Sequence, residues 1–170
     1  MSISTGAGDD GNTGLTGAFS RLSKDHPRIE CLGVLDELNA FIGDARCTAA
    51  EGRTGNILEA VQRDLFVIAG ALAGSGSAPP GPERLNVWVR EIEAGVPYRG
   101  FVIPGANSPS ARLHIARTVC RRAERRLAAL ARLEAESGSA DAARFPPAAK
   151  FIPYMNRLSD LLFLLACLEG

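Results

Sequence analysis

Apolar residues recur every three to four positions over most of this chain, and each segment with that spacing predicts a helix. The longest segment runs from Ser108 to Glu136, with Leu113, Ala116, Val119 or Cys120, Ala123, Leu127, Leu130 or Ala131 and Leu133 along one side. Ser108 suits its N-cap and Pro109 its first helical position. Upstream, Asp25-His26-Pro27 opens a helix to about Cys47, whose inner side carries Ile29, Leu32, Leu35 or Asp36, Leu38 or Asn39, and Ile42 or Gly43. A second helix, about Asn56 to Ala73, repeats Ile57, Val61, Leu65, Ile68 and Leu72, and a shorter one, Glu83 to Ala94, holds Leu85, Val87, Trp88 and Ile92. The last runs from about Ala148 to Leu168. Gly52 to Gly55, Gly74 to Pro82 and Ser137 to Pro147 break the pattern, and Phe101 to Gly105 is a short apolar extended segment. No stretch alternates with the period of a strand, so the expected fold is all-α, a bundle of four or five helices with up-and-down packing.

Polar residues that intrude on this pattern change the picture. Asp36 and Asn39 interrupt the inner stripe of their helix, and buried polar groups need partners, for which an arginine of the long helix is the obvious candidate. On that helix Arg117, Arg121, Glu124 and Arg125 fall at i, i+4, i+7 and i+8 and rise from one face, with Arg122 and Arg126 in a second row. Such rows are either solvated faces making helix-to-helix salt bridges or guanidinium forks for a carboxylate or phosphate ligand. Asn156, Ser159 or Asp160, and Phe163 share a face of the last helix. Residues Met1 to Arg21 hold Gly6, Gly8, Gly11, Gly14 and Gly17 among Ser, Thr, Asp and Asn. They form either a loose tail or a loop that orders around phosphate, although no GxxxxGK[ST] pattern is present.

With 170 residues, 46% of them hydrophobic, the chain is the size of one domain and can bury a core. A formal net charge of zero gives no basic surface for nucleic acid or an anionic membrane. No apolar run suggests a membrane span and no basic-then-apolar leader opens the chain, so a cytoplasmic location is expected. The four cysteines, Cys31, Cys47, Cys120 and Cys167, form no CxxC pair and are expected to be buried free thiols. His26 and His114 do not make a metal pair, and each is expected to pack or cap. No Ser-His-Asp or Cys-His arrangement is evident from spacing.

Four blocks together resemble one family, the PduO-type ATP:cob(I)alamin (corrinoid) adenosyltransferases. They are TGAGDDGNTGL from Thr5, SKDHPRIECLGVLDELNAFIG from Ser23, FVIPGANSPSARLHIARTVCRRAERR from Phe101, and YMNRLSDLLFLLA from Tyr154. The resemblance implies a single domain over 1–170, with a glycine-rich nucleotide segment at 1–22 and a five-helix bundle over 23–170, assembled as a homotrimer with sites at subunit interfaces. It implies transfer of the 5′-deoxyadenosyl group of ATP to the cobalt of cob(I)alamin, giving adenosylcobalamin and triphosphate with Mg2+ on the phosphates. By the same resemblance Thr5, Gly6, Gly8, Asp9, Thr13, Lys24, Arg121, Glu124, Arg125 and Asn156 contact the nucleotide, with Glu124 near the metal. Phe101, which displaces the lower cobalt ligand, Asp36 paired with Arg117, and Phe163 form the corrinoid side. Arg121, Asp36, Arg117 and Phe101 are the implied catalytic set. A corrinoid reductase and a cobalamin-dependent acceptor enzyme are implied as partners.

Departures from the family's pattern gather at the start. The usual Tyr-Thr-Arg/Lys-Thr-Gly-Asp is Ser4-Thr5-Gly6-Ala7-Gly8-Asp9 here, which loses a basic group, and the usual Thr-Thr is Asn12-Thr13. The competing reading is therefore a non-catalytic corrinoid carrier or sensor on the same scaffold, with a decayed nucleotide loop.

Overall fold

The structure, a computed structural model, describes residues 4, 6–15, 21–49, 52–96, 100–137 and 145–170. Five helices form it: α1 (Pro27–Thr48), α2 (Arg53–Leu72), α3 (Glu83–Glu93), α4 (Ser108–Ser137) and α5 (Ile152–Leu168), the last preceded by a 3₁₀ turn over Ala148–Phe151. The all-α bundle expected from the pattern is the fold observed. One addition was not expected: the short strands β1 (Asn12–Thr13) and β2 (Leu22–Ser23) pair antiparallel, Asn12 opposite Ser23 and Thr13 opposite Leu22. Two residues per strand are too few for an alternating pattern to be visible in the sequence.

Helix ends follow local chemistry. The His26 ring caps α1 by accepting from the Arg28 N–H at 3.1 Å, with Pro27 at the first position. At α4 the capping side chain is Asn107 in place of Ser108: its Oδ1 accepts the Ser110 N–H at 2.9 Å, and its carbonyl takes the first helical bond from Ala111 at 3.0 Å. Ser108 is thereby one residue inside the helix. The same Asn107 amide donates to the Glu169 carbonyl and ties the start of α4 to the end of α5. Helix α2 starts three residues before the predicted Asn56, behind Gly52 at φ 130°, a conformation glycine adopts without strain.

Helix α4 is central, packed against both α1 and α5; α2 packs on α1, and α3 on α5. One continuous core results, with Leu35, Leu38 and Ile42 of α1, Leu58, Leu65 and Ile68 of α2, Leu113, Cys120 and Leu127 of α4 and Leu158, Leu161 and Leu165 of α5 essentially inaccessible. Val87 of α3 points outward, because Leu85, Val89 and Ile92 occupy the buried face at i, i+4 and i+7. The stretch Ala148–Leu168 is by length and composition able to cross a membrane, but over half of it is buried, as befits a core helix. Cys31 and Cys120 are buried thiols as expected, whereas Cys47 is exposed and Cys167 half-buried, since both lie at helix ends where neighbours thin out. Burial pushes the Cys31 thiol up to about 11, and Cys120, whose Sγ lies 3.3 Å from the Met155 carbonyl, is pushed further in the same direction.

An ionic cluster ties the helices together at one end. Buried Arg28 donates to the Leu72 carbonyl at 3.1 Å and to Glu134 at 2.5 Å, its guanidinium 4.3 Å above the Phe145 ring. The second Glu134 oxygen accepts the Ala148 N–H at 2.8 Å. Elsewhere the Tyr154 hydroxyl of α5 donates to Asp64 of α2 at 2.7 Å, and Asp64 also pairs with Arg84 of α3 at 2.5 Å.

Candidate active site

The arginines of α4 separate into two sets according to what α1 offers them. Glu30, Glu37 and Asp44 recur at i, i+7 and i+14 on α1, and they pair with Arg126 (3.3 Å), Arg122 and Arg112 respectively. This is the helix-to-helix salt-bridge reading of an arginine row. Arg117, Arg121 and Arg125 have no ion pair among the described residues, and the buried Nε of Arg117 lacks a hydrogen-bond partner. An unpaired guanidinium half-inside a protein leaves its donors open to an anion from outside the chain.

Arg117 and Arg121 face a cleft of about 490 Å³ between the end of α3 and the middles of α4 and α5. Phe163 and Leu164 of α5 and Val89 and Val96 from α3 and its exit supply apolar walls. Arg157, Ser159, Asp160 and Glu93 supply polar ones. Arg157 and Asp160 pair with each other at 2.9 Å. Phe163 carries the Arg117 guanidinium at 5.9 Å from its ring centre, within cation–π reach. Behind it, buried His114 meets the ring edge-on, centres 6.1 Å apart at 60°. Burial, with the Arg117 charge adding to it, holds the His114 ring below the usual histidine range, so the imidazole is neutral near pH 7. The cleft thus offers cations beside an apolar aromatic wall, an arrangement suited to a large, mostly apolar ligand meeting an anionic one.

The structure brings together only part of the expected set. Arg117, Arg121 and Phe163 line the one cleft. Glu124 is half-buried on α4 without an ion pair among the described residues, and Arg125 and Asn156 are exposed on α4 and α5. The charges of Glu124, Arg121 and Asp160 all act on the buried Cys120 thiol, which places them around one point of the α4–α5 seam. Asp36 departs from expectation. It is exposed, so it does not interrupt the buried stripe of α1, and no ion pair joins it to Arg117. At position 36 the helix turns its side chain one step outside the face formed by Leu35, Leu38, Asn39 and Ile42. Asn39 does lie in that face, with its Oδ1 unpartnered. Phe101 is wholly exposed, not a core anchor, and Ile103 is 90% exposed beside it.

Where it is described, the glycine-rich segment forms turns and the short strand β1; Thr5 lies outside the described residues. Arg21 grips it: Nη1 and Nη2 fork onto Asp10 at 2.7 and 2.8 Å, and Nη2 also reaches the carbonyls of Asn12 (2.8 Å) and Ala7. The Arg21 fork and the Asn12 N–H hold the Asp10 carboxyl down at about 2. Lys24 Nζ donates to the Gly8 carbonyl at 2.7 Å, and a Cβ on Gly8 would come within 3.0 Å of that ammonium, so glycine keeps the approach open. Gly6, Asp9 and Thr13 lie on the same turn-and-strand unit, away from α4 in sequence and joined to no residue of the cleft by a hydrogen bond or ion pair among the described residues.

Arg157, Asp160, Glu93 and His114 belong to the cleft and its backing but were not expected in it. Asp160 shares the Asn156–Phe163 face, which was a legible signal; Glu93 was not, since nothing in the spacing of α3 says which helix it packs against.

The family model described as cobalamin adenosyltransferase matches residues 3–169. The corrinoid adenosyltransferase PduO of Salmonella typhimurium is 40% identical over 181 residues, covering 99% of this chain and 50% of its own. The cobalamin adenosyltransferase of Cupriavidus metallidurans is 40% identical, covering 96% of this chain and 85% of its own. The chain therefore spans about half the length of the PduO relatives it matches. Among solved structures, a phenylalanine-to-alanine variant of the PduO-type ATP:corrinoid adenosyltransferase from Lactobacillus reuteri, complexed with cobalamin and ATP, superposes with a TM-score of 0.82. That protein is 28% identical, with 98% of this chain and 92% of that one covered.

Proposed function

The chain belongs to the cobalamin adenosyltransferase family, and from that membership we propose that it transfers the 5′-deoxyadenosyl group of ATP to the cobalt of cob(I)alamin. The observation that carries this reading is the cleft in which unpaired Arg117 and Arg121 stand beside the Phe163 ring. A corrinoid has a broad apolar face and ATP a chain of phosphates, and this site offers a surface to each.

The reaction is a displacement. The electron pair of Co(I) forms the Co–C bond at the 5′-carbon while the C–O bond breaks, and triphosphate leaves with that bond's electrons. Co(I) is itself a strong nucleophile, so no protein base is required, and the side chains contribute geometry and charge. Arg121, with Arg125 and Lys24, meets the negative charge growing on the leaving triphosphate. The glycine-rich turn, with Gly6, Gly8, Asp9 and Thr13, supplies backbone and hydroxyl donors to the phosphates, and Asn156 holds the nucleotide from α5. Among the described residues no group of three His, Cys, Asp or Glu side chains could hold a metal alone. Half-buried Glu124 fits magnesium, which binds through one or two carboxylates plus substrate phosphates, and there the ion would neutralise phosphate charge.

The corrinoid side is completed from outside the single chain. Asp36 and Arg117 are both unpaired among the described residues, and Phe101 stands fully exposed, so we place these three groups at an interface between copies in a homotrimer. Phe101 would there occupy the lower face of the cobalt and keep its axial ligand away, which eases formation of Co(I). A corrinoid reductase upstream and an acceptor enzyme downstream follow from the chemistry of substrate and product.

Anaerobic incubation of the protein with ATP, magnesium and cob(I)alamin tests the proposal. Loss of the Co(I) absorption with formation of adenosylcobalamin and triphosphate is expected; bound corrinoid with no product would instead support the carrier or sensor reading.

A further inference from the structure

His114 is a costly side chain to bury beside the cleft and has no part in the reaction described above. Its ring is 3% exposed, and neither Nδ1 nor Nε2 has a hydrogen-bond partner among the described residues. A buried imidazole with both nitrogens unpaired is less stable than an aliphatic side chain of the same size in that place. What it does hold is the edge-on contact with Phe163, at the ring separation where edge-to-face packing is favourable. Phe163 in turn carries the Arg117 guanidinium and forms the apolar wall. The three groups sit on two helices: His114 and Arg117 three residues apart on α4, Phe163 opposite them on α5. Beside its packing against the core, the ring thus meets an imidazole and a guanidinium, and both bear on its tilt.

We infer that His114 is a positioning residue of the site: its imidazole edge braces the Phe163 ring, and through that ring sets the Arg117 guanidinium against the face where a corrinoid packs. This rests on the corrinoid reading of the cleft given above. The cost of the unpaired nitrogens is offset in function and not in stability. An aliphatic side chain at 114 would fill the space but could not make the aromatic edge-to-face contact, and the tilt of the Phe163 ring would be less closely held.

The test compares the parent with His114→Leu and His114→Phe by two readouts. The first needs no substrate: the Arg117 Nε–H resonance in the ligand-free protein, shifted by the ring current of Phe163. The second is anaerobic turnover with separate KM values for cob(I)alamin and ATP. In His114→Leu the ring-current shift should collapse and the corrinoid KM rise about tenfold, with the ATP KM within about twofold of the parent. His114→Phe, which restores an aromatic edge, should recover most of both. An unchanged resonance and corrinoid KM in His114→Leu would overturn the inference, as would a Phe variant no better than Leu. A parent that shows the resonance behaviour but no turnover would instead sink the enzyme reading and leave the bracing role standing. Should His114→Leu fail to fold, His114→Gln supplies the same comparison.

Discussion

Six of the seven arginines of α4 look alike in the sequence and differ entirely in what faces them. Arg112, Arg122 and Arg126 are answered by Asp44, Glu37 and Glu30 of α1, half-exposed pairs of a kind that contribute about 0–1 kcal/mol each. Arg117, Arg121 and Arg125 have no ion pair among the described residues, and we propose ligands for them. Replacing Arg121 by Ala should raise the ATP KM about 10- to 100-fold, the loss of one charge-assisted contact worth about 1.5–3 kcal/mol, and leave the corrinoid KM nearly unchanged. Arg117→Ala should do the reverse. Arg122→Ala serves as the control, with turnover close to the parent's. Steady-state kinetics with each substrate varied in turn distinguishes the three, and equal effects of Arg121→Ala and Arg122→Ala would remove Arg121 from the site. The N-terminal departures also look different at this scale: Arg21, directly before β2, brings a guanidinium into the turn around Gly6 and Asp10 and is engaged there by Asp10, Ala7 and Asn12. Its four contacts form a network, which holds geometry better than a lone surface pair.

At the scale of elements, the bundle is held at one end by Glu134. Its two oxygens join Arg28 of α1 to the backbone of Ala148, and Arg28 reaches on to the last turn of α2. Removing Glu134 takes the carboxylate from a guanidinium whose side chain is only 5% exposed while the Leu72 carbonyl and the Phe145 ring remain, so Glu134→Ala should destabilise the protein by about 3 kcal/mol. For a chain of this size that corresponds to a fall in Tm of about 10 °C, measurable by calorimetry. Arg28→Leu combined with Glu134→Leu, which leaves no buried charge behind, should lose much less. A Glu134→Ala protein as stable as the parent would show that Arg28 reaches water or another acceptor. The clasp was not legible beforehand, because Glu134 reads as one more polar residue near the end of a long helix. Its partners lie 106 residues upstream and 14 downstream, brought together only by packing.

At the scale of the molecule, the isolated chain leaves Phe101 and Ile103 almost fully in water, with Val102 at 40%, in a segment directly before the helix that carries the site. Apolar surface of this kind is where we propose that copies of the chain meet. Assembly into a homotrimer predicts a sedimentation mass about three times 17.9 kDa, and Ile103→Lys should shift it toward the monomer by placing a charge in the contact. A parent that sediments as a monomer at micromolar concentration would remove the interface from the proposed site, and with it the pairing of Asp36 and Arg117.

The sequence by itself determined the helices, their approximate limits and most of the face each one buries, because a period of 3.6 residues is local information that needs no partner to be read. It also determined membership of the family, since the four blocks survive in order, and it singled out Arg117, Arg121 and Phe163, which the fold brings to one cleft. What it could not determine was which side of α1 Asp36 occupies, which arginines Glu30, Glu37 and Asp44 would consume, that Asn107 and not Ser108 caps α4, or that His114 lies unpaired behind Phe163. Each of those depends on the rotation and offset of one helix against another. That choice is made by the summed packing of the whole core and is not encoded at any single position.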